Sequence, residues 1–397
     1  MRGYGYDATI TNLLTAVTNA LGEVMRFKHD SGLRVTSVTN WNSLVTTNIY
    51  YDSGTYSGFL KTRIDLGFRT NSYGYVNGNI TARTNELGLW KTYQWDDLNR
   101  LVKATYPDGT TRSNWYDKLD LVGRKDRLGN WTRYAYNSVR QLIGMTNANG
   151  EVTVYDYCDC GSLSSITRSN GASILVTRFY YDAAGRRTNV TYPDAYQLTY
   201  QFDDYDSLPG PVRVQDSAGL IHQFEYDEVG RVAEIRLSRS PNLPNSYESL
   251  MLRSFDDFGR LISIRDRNGI IVTNGYDSLG RITNRVTLDI FGAPRNTNSY
   301  AYTSRGLTNS TDELGHKTWY VYNEAGQLSA QTNANAEVLQ FTYNPANQML
   351  TLKDGKNQQT SWNYDEYGRV TNKVDAASTV IFKYKYDQAN RLTNRWT

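Results

Sequence analysis

The sequence predicts an all-β protein in which tandem hairpins join edge to edge, and three observations support this class. The 397 residues include 32 Tyr, which favours strands, and 31 Gly, which favours tight turns. One short motif recurs along the chain at intervals of about 21 residues, the pattern of a repeat protein. The residues before each copy alternate between large apolar and polar side chains, as in strands with one buried face.

The recurring motif is an aromatic residue followed by Asp, two variable residues, Gly and Arg. Clear copies begin at Tyr181, Tyr226, Phe255, Tyr276 and Tyr364, and weaker copies at Tyr6, His29, Tyr51 and Tyr75 carry the period to the start of the chain. We predict a structural role in the repeat, with no catalytic, cofactor or metal role, for Tyr181, Asp182, Gly185, Arg186, Tyr226, Asp227, Gly230, Arg231, Tyr276, Asp277, Gly280, Arg281, Tyr364, Asp365, Gly368 and Arg369.

A second turn signal lies midway through each period, as in Asp126 to Gly129 and Asp266 to Gly269. An Asp side chain accepts backbone N–H bonds in a tight turn, and Gly adopts the positive φ that closes a hairpin. Each period therefore predicts two turns and two strands, or about 36 strands for eighteen motif starts. A β-propeller, with one blade for every two periods, is the alternative, but successive units look equivalent.

The strand that enters each motif has one aromatic face. Thr132, Tyr134 and Tyr136 fall on one side, and Arg133 and Ala135 on the other. Two interpretations of the aromatic face stay open. The rings form a ladder with each ring packed on the next repeat's ring, or they stack on sugars; the regular spacing favours the ladder.

A sheet of this many strands has to curve because twist accumulates from strand to strand. Laid flat it would be ~170 Å wide, and closed into a single circuit it would be ~55 Å across, at ~4.8 Å per strand. The sequence therefore predicts a continuous, spiralling antiparallel sheet, either a hollow β-shell or an open part of one.

We expect one array over residues 1–397, with degenerate repeats in 1–92 and regular repeats in 93–397, and no separate toxin or plug domain. Pro-containing inserts near 206–211, 238–245 and 290–295 predict protruding loops, because Pro cannot donate to a strand ladder. Tolerated loop growth is the favoured interpretation of these inserts, and contact loops are the alternative.

Composition and motifs point away from several classes of function. The net charge of +3 gives no basic surface for nucleic acid, no apolar run reaches the length of a membrane span, and the first residues show no signal peptide. His29, His222 and His316 lack the spacing of a zinc site, and the Asp203 to Asp206 cluster lacks calcium-loop spacing. No cofactor is expected.

The two cysteines, Cys158 and Cys160, occupy one turn with a single residue between them. A disulfide at this spacing is expected to be strained. We therefore expect a structural or incidental pair, with a metal or redox site as the less favoured alternative.

The array of aromatic-Asp-x-x-Gly-Arg copies, with its mid-repeat Asp-x-x-Gly turns, resembles the RHS/YD-repeat family over residues 4–394. That family includes rearrangement-hot-spot proteins, shell components of toxin complexes, and teneurins. The recurring Val-Thr-Asn of 370–372 and Leu-Thr-Asn of 392–394 is the commonest local variant. The resemblance implies a strand ribbon that spirals into a hollow shell, which in bacterial members often encloses a C-terminal toxin.

One family feature is missing. Complete toxin carriers have a segment rich in Asp-Pro-x-Gly-Leu that holds the self-cleaving Asp, and this sequence contains no Asp-Pro. We therefore expect an excerpt of a longer protein or a truncated carrier.

The resemblance implies a non-enzymatic structural shell segment, secreted or at the cell surface, that encapsulates or displays a polypeptide such as a toxin. Its expected partner is that polypeptide cargo, with no nucleic acid and no membrane span. A carbohydrate-binding or cell-surface-binding adhesion module, with glycans as partners, is the alternative.

Overall fold

The computed structural model describes residues 3–65, 69–169, 173–203, 207–238 and 247–397. These residues form 36 β-strands and contain no α-helix. The strands are β1 (Gly3–Tyr6), β2 (Leu14–Thr18), β3 (Val24–His29), β4 (Val35–Thr39), β5 (Val45–Tyr50), β6 (Leu60–Asp65), β7 (Arg69–Val76), β8 (Asn79–Thr84), β9 (Trp90–Trp95), β10 (Leu101–Thr105), β11 (Thr111–Asp117), β12 (Asp120–Lys125), β13 (Trp131–Tyr136), β14 (Leu142–Thr146), β15 (Val152–Tyr157), β16 (Leu163–Ser169), β17 (Ile174–Tyr181), β18 (Arg187–Thr191), β19 (Gln197–Gln201), β20 (Arg213–Asp216), β21 (Ile221–Tyr226), β22 (Val232–Ser238), β23 (Glu248–Phe255), β24 (Leu261–Asp266), β25 (Ile271–Tyr276), β26 (Ile282–Leu288), β27 (Pro294–Thr303), β28 (Gly306–Thr311), β29 (Lys317–Tyr322), β30 (Leu328–Thr332), β31 (Val338–Tyr343), β32 (Met349–Lys353), β33 (Gln359–Tyr364), β34 (Val370–Val374), β35 (Val380–Tyr386) and β36 (Leu392–Trp396).

Every strand pairs with the next strand in the chain, and every pairing is antiparallel. The result is one ribbon of hairpins, and within the described ranges no pairing joins β36 back to β1. The predicted all-β fold of about 36 strands in one continuous antiparallel sheet is confirmed. A propeller is excluded because the ladder continues across every boundary at which a blade would end.

The strands joined by the motif turns contain a regular β-bulge. In 17 of these 18 hairpins the register shifts at the motif's aromatic residue, as it does between Gly275 and Tyr276 opposite Ile282. A bulge bends its strand and increases the local twist. Repeated once per hairpin, it curves the whole ribbon in one direction.

The predicted alternation of faces is confirmed. In β13 the side chains of Thr132, Tyr134 and Tyr136 are half-buried, whereas Arg133 and Ala135 are exposed. The same pattern holds in β19, β29, β31 and β35. The aromatic face is therefore partly covered by neighbouring repeats, and the opposite face is open to solvent.

The ribbon coils past its own start. A methyl group placed on Gly326, in the turn after β29, would lie 3.3 Å from Leu44 Cδ1, in the turn after β4. Gly368, after β33, lies against Leu87, after β8, in the same way. One circuit thus takes about 25 strands, which corresponds to a ring ~40 Å across at ~4.8 Å per strand. The expectation of a ~55 Å ring used all 36 strands and was wrong, because the ribbon overlaps itself instead of closing end to end.

The wall is one sheet thick and has no ordinary core. Its accessible surface is 24550 Å², whereas a compact monomer of this mass exposes about 16,000 Å². The buried apolar side chains among the described residues are Ala104, Val190, Ile221 and Leu237. Stability therefore comes from neighbouring hairpins, as in other quasi-one-dimensional repeat proteins. No helix in the described part of the chain is long and apolar enough to cross a membrane.

The three inserts have different outcomes. Residues 207–212 form an irregular connection before β20, as predicted. Residues 239–246, which hold most of the second insert, lie outside the described residues. The prediction of a loop at 290–295 was wrong, because β26 and β27 simply extend to a regular turn at Asp289 and Pro294 pairs with Leu288 in the ladder. Pro is tolerated there because it is the first residue of its strand.

The residue that closes each turn has a positive φ whether or not it is Gly. Gly150 has φ 81°, and a methyl group added to it would meet no atom within 4 Å, while Ala336 occupies the equivalent place in another mid-repeat turn with φ 61°. Left-handed backbone costs a residue with a side chain about 1–2 kcal/mol. The turn geometry is thus imposed by the hairpin ladder and tolerated at Ala336.

We expect Gly150→Ala to lower the free energy of unfolding by about 1 kcal/mol and Ala336→Gly to raise it by a smaller amount, since Gly also gains entropy in the unfolded chain. Ala184→Gly is the control, at a turn position without positive φ, and we expect it to be neutral or destabilising. Urea denaturation of the three variants measures the effect. Equal shifts for Ala336→Gly and Ala184→Gly would contradict the backbone argument.

Candidate functional site

In the clear motif copies the Asp side chain closes the turn. In the turn after β25, Asp277 Oδ1 accepts the backbone N–H groups of Leu279 and Arg281, both at 2.9 Å, and Oδ2 accepts Arg281 Nε at 2.7 Å. Gly280 supplies the left-handed residue, with φ 82°. The same Asp-to-Arg bond, at 2.6–2.7 Å, joins Asp182 to Arg186, Asp227 to Arg231 and Asp365 to Arg369, with Gly185, Gly230 and Gly368 at positive φ.

The Arg of one turn reaches the next repeat. Arg281 stacks 4.6 Å from the ring centre of Tyr302 and donates from Nη1 to the carbonyl of Thr303 at 3.0 Å. Its guanidinium thus contacts a carboxylate, a ring and a carbonyl at once, which suits its planar fork of donors. The same stacking places Arg186 over Phe202, Arg231 over Phe255 and Arg369 over Tyr386.

The aromatic residue of the next repeat bonds back. Tyr276 is covered by Arg260 of the preceding turn, and its hydroxyl donates to the Leu261 carbonyl at 2.6 Å. The hydroxyls of Tyr181, Tyr226 and Tyr364 donate to Leu163, Pro211 and Met349 in the same manner. We call this unit of Asp, Arg and the following aromatic residue the repeat clasp. Neighbouring hairpins are therefore joined by side chains as well as by the ladder.

The clasp replaces the ring-on-ring ladder that the sequence favoured. Among the described residues, rings of successive repeats meet at a few places, such as Trp115 and Trp131 at 4.2 Å and Tyr51 and Tyr75 at 6.3 Å. An Arg lies over the ring instead at seven motif positions, Tyr50, Tyr116, Phe202, Phe255, Tyr276, Tyr302 and Tyr386. The strands that enter successive motifs are separated by one intervening strand. The long Arg side chain spans that distance, whereas two rings do not.

The structure moves one weak copy by a residue. The sequence placed a motif start at Tyr51, but the bulge lies between Ile49 and Tyr50, and the Tyr50 hydroxyl donates to the Val35 carbonyl at 2.9 Å. Tyr51 instead donates to Tyr73. Tyr50 therefore occupies the aromatic position of that repeat.

A hydroxyl at five of the bulges was missed, although its signal was present. Thr371 Oγ1 donates to the carbonyl of Asn363 at 3.2 Å, and Thr393 donates to Lys385 at 3.0 Å. In both cases the acceptor precedes the motif Tyr, where the bulge disrupts the ladder. The recurring Val-Thr-Asn and Leu-Thr-Asn thus place a hydroxyl on a carbonyl that the ladder would leave unpaired. Thr36, Thr308 and Ser329 make the same bond.

The electrostatics of the clasp are those of a fixed ion pair. The Arg186 guanidinium, with backbone N–H groups, holds the pKa of Asp182 below its usual value. Partial burial raises the pKa of Asp277, but the N–H and guanidinium bonds from Arg281 outweigh it and the net shift is downward. Burial raises the pKa of Tyr226 and Tyr364. At neutral pH both shifts favour the forms that the clasp uses, an ionised Asp carboxylate and a protonated Tyr hydroxyl.

The cysteines are joined in a disulfide, which their spacing in the sequence did not lead us to expect. The turn brings the Cα atoms of Cys158 and Cys160 to 5.1 Å, within the ordinary range for a bridge. Cys158 occupies the position of the motif Asp, and Ser162 that of the Arg. This turn lacks the Asp-to-Arg bond, and the bridge holds it closed instead.

The histidines stay apart. His316 Nδ1 lies 3.0 Å from Asp312 Oδ2 in an exposed mid-repeat turn, His222 lies in β21, and His29 takes the aromatic position of its repeat. Asp203 accepts bonds from the backbone and hydroxyl of Ser207, and residues 204–206 lie outside the described residues. The described ranges hold no group of three or more His, Cys, Asp and Glu side chains arranged for a metal ion.

Comparison with known proteins gives a family model and a fold. The RHS Repeat model matches residues 75–111, 255–289 and 322–359. No curated protein matches the chain. The predicted resemblance is confirmed, since the family model matches the chain in three separate places.

Solved toxin structures share the fold. The crystal structure of TcdB2-TccC3 matches with a TM-score of 0.68 and 13% identity, over 98% of this chain and 28% of that chain. The crystal structure of TcdB2-TccC3-Cdc42 matches with a TM-score of 0.68 and 14% identity, over 93% and 22%. The Photorhabdus luminescens Tc holotoxin pore, with a TccC3 mutation, matches with a TM-score of 0.61 and 11% identity, over 99% and 24%. The chain spans about a quarter of the length of these structures.

We expect Arg281→Lys to lower the free energy of unfolding by about 1–2 kcal/mol, because an ammonium group keeps the charge but loses the fork that contacts three groups. Arg295→Lys is the matched control, since the Arg295 side chain is 62% exposed and its Nε lies 3.9 Å from Asp289 Oδ2, beyond hydrogen-bond distance. Urea denaturation measures both. Equal stability of the two variants would show that charge alone, without geometry, accounts for the clasp.

We expect Tyr276→Phe to cost about 1 kcal/mol, because it leaves the Leu261 carbonyl without its hydroxyl donor while preserving the ring under Arg260. Tyr180→Phe, on the exposed face of β17, is the control and should be near neutral. Thermal unfolding monitored by circular dichroism distinguishes them. A loss as large at Tyr180 would argue against the bond.

The clasp also predicts how stability depends on pH. A lowered Asp pKa contributes stability above the unfolded pKa of about 3.9, and this is lost as the pH falls through the folded value. A raised Tyr pKa contributes below about pH 10, and this is lost as the pH rises through the folded value. Urea denaturation across the pH range should show a plateau between these limits. A constant stability into acid would contradict the Asp contribution.

Proposed function

We propose that this chain, which carries RHS repeats and shares the fold of the Tc toxin structures, is a non-enzymatic wall segment that encloses or displays a polypeptide such as a toxin. The observation that carries the proposal is the coiled, single-layer ribbon, with Leu44 against Gly326 after one circuit. A one-layer wall of this curvature surrounds space that its own side chains do not fill. That space is the natural place for a second polypeptide.

The polar chemistry of the repeats supports a structural role. The carboxylates of Asp182, Asp227, Asp277 and Asp365 each accept backbone N–H and guanidinium bonds. A carboxylate so occupied, with a lowered pKa, is a weak general base. We therefore extend the structural assignment to all sixteen motif residues, and treat residues 1–397 as one array with its degenerate part in 1–92.

The exposed face supports a polypeptide as the partner. On that face Trp115, Val154, Trp319 and Val321 are exposed. Exposed apolar groups of this kind offer many weak contacts to an extended or partly folded chain without one specific pocket. The sugar-stacking interpretation of the aromatic face has less support, because its rings are engaged by Arg side chains and carbonyl groups. We therefore do not propose the adhesion alternative.

The Cys158 to Cys160 disulfide supports action outside the reducing cytosol, because such bridges persist in oxidising compartments. An extracellular wall segment agrees with this. A cell-surface location is a narrower proposal that surface labelling of producing cells would test.

The wall hypothesis is tested by protection of a cargo. An unfolded reporter polypeptide with one protease site is joined after Thr397, and its cleavage rate is measured. We expect cleavage at least about tenfold slower than for the same reporter on an unrelated soluble domain, because the wall limits access to its interior. Equal rates, or particles without a lumen in electron micrographs, would overturn the enclosing role.

A matched control keeps that test specific. The same fusion carrying Arg281→Gln and Arg369→Gln, which break two clasps, should regain fast cleavage, whereas Arg295→Gln should not. Circular dichroism of each fusion establishes that the sheet is still formed. Slow cleavage in all three fusions would indicate protection by something other than the intact wall.

A further inference from the structure

The ribbon has two different rims. Because the strands alternate in direction, all motif turns lie along one edge, the motif rim, and all mid-repeat turns lie along the other, the mid-repeat rim. Where the second circuit overlaps the first, the motif rim contacts the mid-repeat rim: Gly326 and Gly368 lie against Leu44 and Leu87. Within the chain, one kind of rim is thus the partner of the other.

The contact between circuits includes apolar and charged side chains. A cleft of about 790 Å³ lies there, lined by Leu44 and Asp65 from the first circuit and Arg305, Glu324 and Ala325 from the second. Further along, partial burial raises the pKa of Asp126, hydrogen bonds from Asn130 and Leu128 lower it, and the charge of Arg391 on the motif rim lowers it further.

The covered and uncovered parts of the motif rim differ in exposure. Where the circuits overlap, the residue just before the positive-φ residue of each motif turn is half-buried, as at Ala325, Tyr367 and Ala389. In several turns of the motif rim that meet no second circuit, the equivalent residue is large and exposed: Phe258 is 84% exposed and Val229 is 71% exposed. Leu98 and Val139 are also exposed, and the smaller Cys160 and Ala184 lie between them and Val229.

The mid-repeat rim shows the same contrast. Leu87, which lies under the second circuit, is 36% exposed. Phe291 and Leu314, at the equivalent position in turns that no circuit covers, are 87% and 74% exposed. Highly exposed apolar tips thus occur in adjacent pairs, Val229 and Phe258 on consecutive turns of the free motif rim and Phe291 and Leu314 on consecutive turns of the free mid-repeat rim.

From these observations we infer that the free motif rim and the free mid-repeat rim are complementary docking surfaces for a second copy of this chain. The occupant follows from continuity, because the contact between circuits already pairs these two rims and the free rims extend it in both directions. The association is head to tail, since one rim does not match itself. The inference rests on the coiled fold, and it stands whether or not the wall encloses a polypeptide.

The experiment uses two variants, each with one defective rim. Val229→Glu with Phe258→Glu places charges on the motif rim, and Phe291→Glu with Leu314→Glu places them on the mid-repeat rim. Wild type should associate as concentration rises in sedimentation velocity, and each variant alone should remain monomeric. Their mixture should form one-to-one dimers and stop there, because one good rim of each kind remains.

The controls separate docking from folding. Val154→Glu, on the exposed face of β15 and away from both rims, should associate like wild type. Circular dichroism checks that the rim variants are folded. If the charges disturb a turn, Phe258→Thr replaces the motif-rim variant and Phe291→Thr replaces the mid-repeat-rim variant. We expect each rim change to weaken association at least about tenfold, as for apolar residues at an interface centre.

Three outcomes would overturn the inference. The first is a wild type that stays monomeric at every concentration, and the second is a variant with one defective rim that still forms dimers by itself. The third is a mixture of the two variants that fails to associate. Self-association of a single-rim variant would indicate like-to-like contact and not the head-to-tail arrangement.

Discussion

The structure depends on the arginine that leaves one turn and reaches the next. In a compact domain, distant elements meet in a shared core, but among the residues that the structure describes the buried apolar side chains are few and scattered. Arg281 shows what replaces the core: it binds the carboxylate of its own turn, covers the ring of Tyr302 and donates to the backbone beyond it. Each repeat is therefore stabilised by its neighbour, and the stability of the array does not depend on one central core.

The same unit explains the curvature. The motif tyrosine sits at the bulge, its hydroxyl is held by the preceding repeat, and in several hairpins a hydroxyl such as Thr371 occupies the carbonyl beside it. A bulge fixed at one place in each hairpin bends every hairpin alike. Curvature is thus built into the local sequence, and the coil follows from adding one small bend per repeat until the ribbon meets its own rim.

The sequence was sufficient for whatever is local and periodic. Motif spacing predicted the number of strands, and alternation around Tyr134 predicted the half-buried face. Three features were beyond it. The circuit length depends on the bend at each bulge, which spacing does not encode. The Arg-over-ring contact depends on the distance across an intervening strand. The Cys158 to Cys160 bridge depends on how closely a turn brings two Cα atoms together.

A ribbon built this way separates two tasks that a compact domain combines. The clasps, whose Asp and Arg lie in the motif turns, hold the wall together, and their Asp, Arg and Tyr side chains are fully engaged in doing so. The opposite face and the exposed tips of the turns lie outside the clasps, so their side chains are free to vary with a cargo or a partner. Phe258 and Phe291 illustrate this, because both are large, exposed and unnecessary for closing their turns. We therefore expect the functional residues of such a wall at positions that the repeat motif leaves variable.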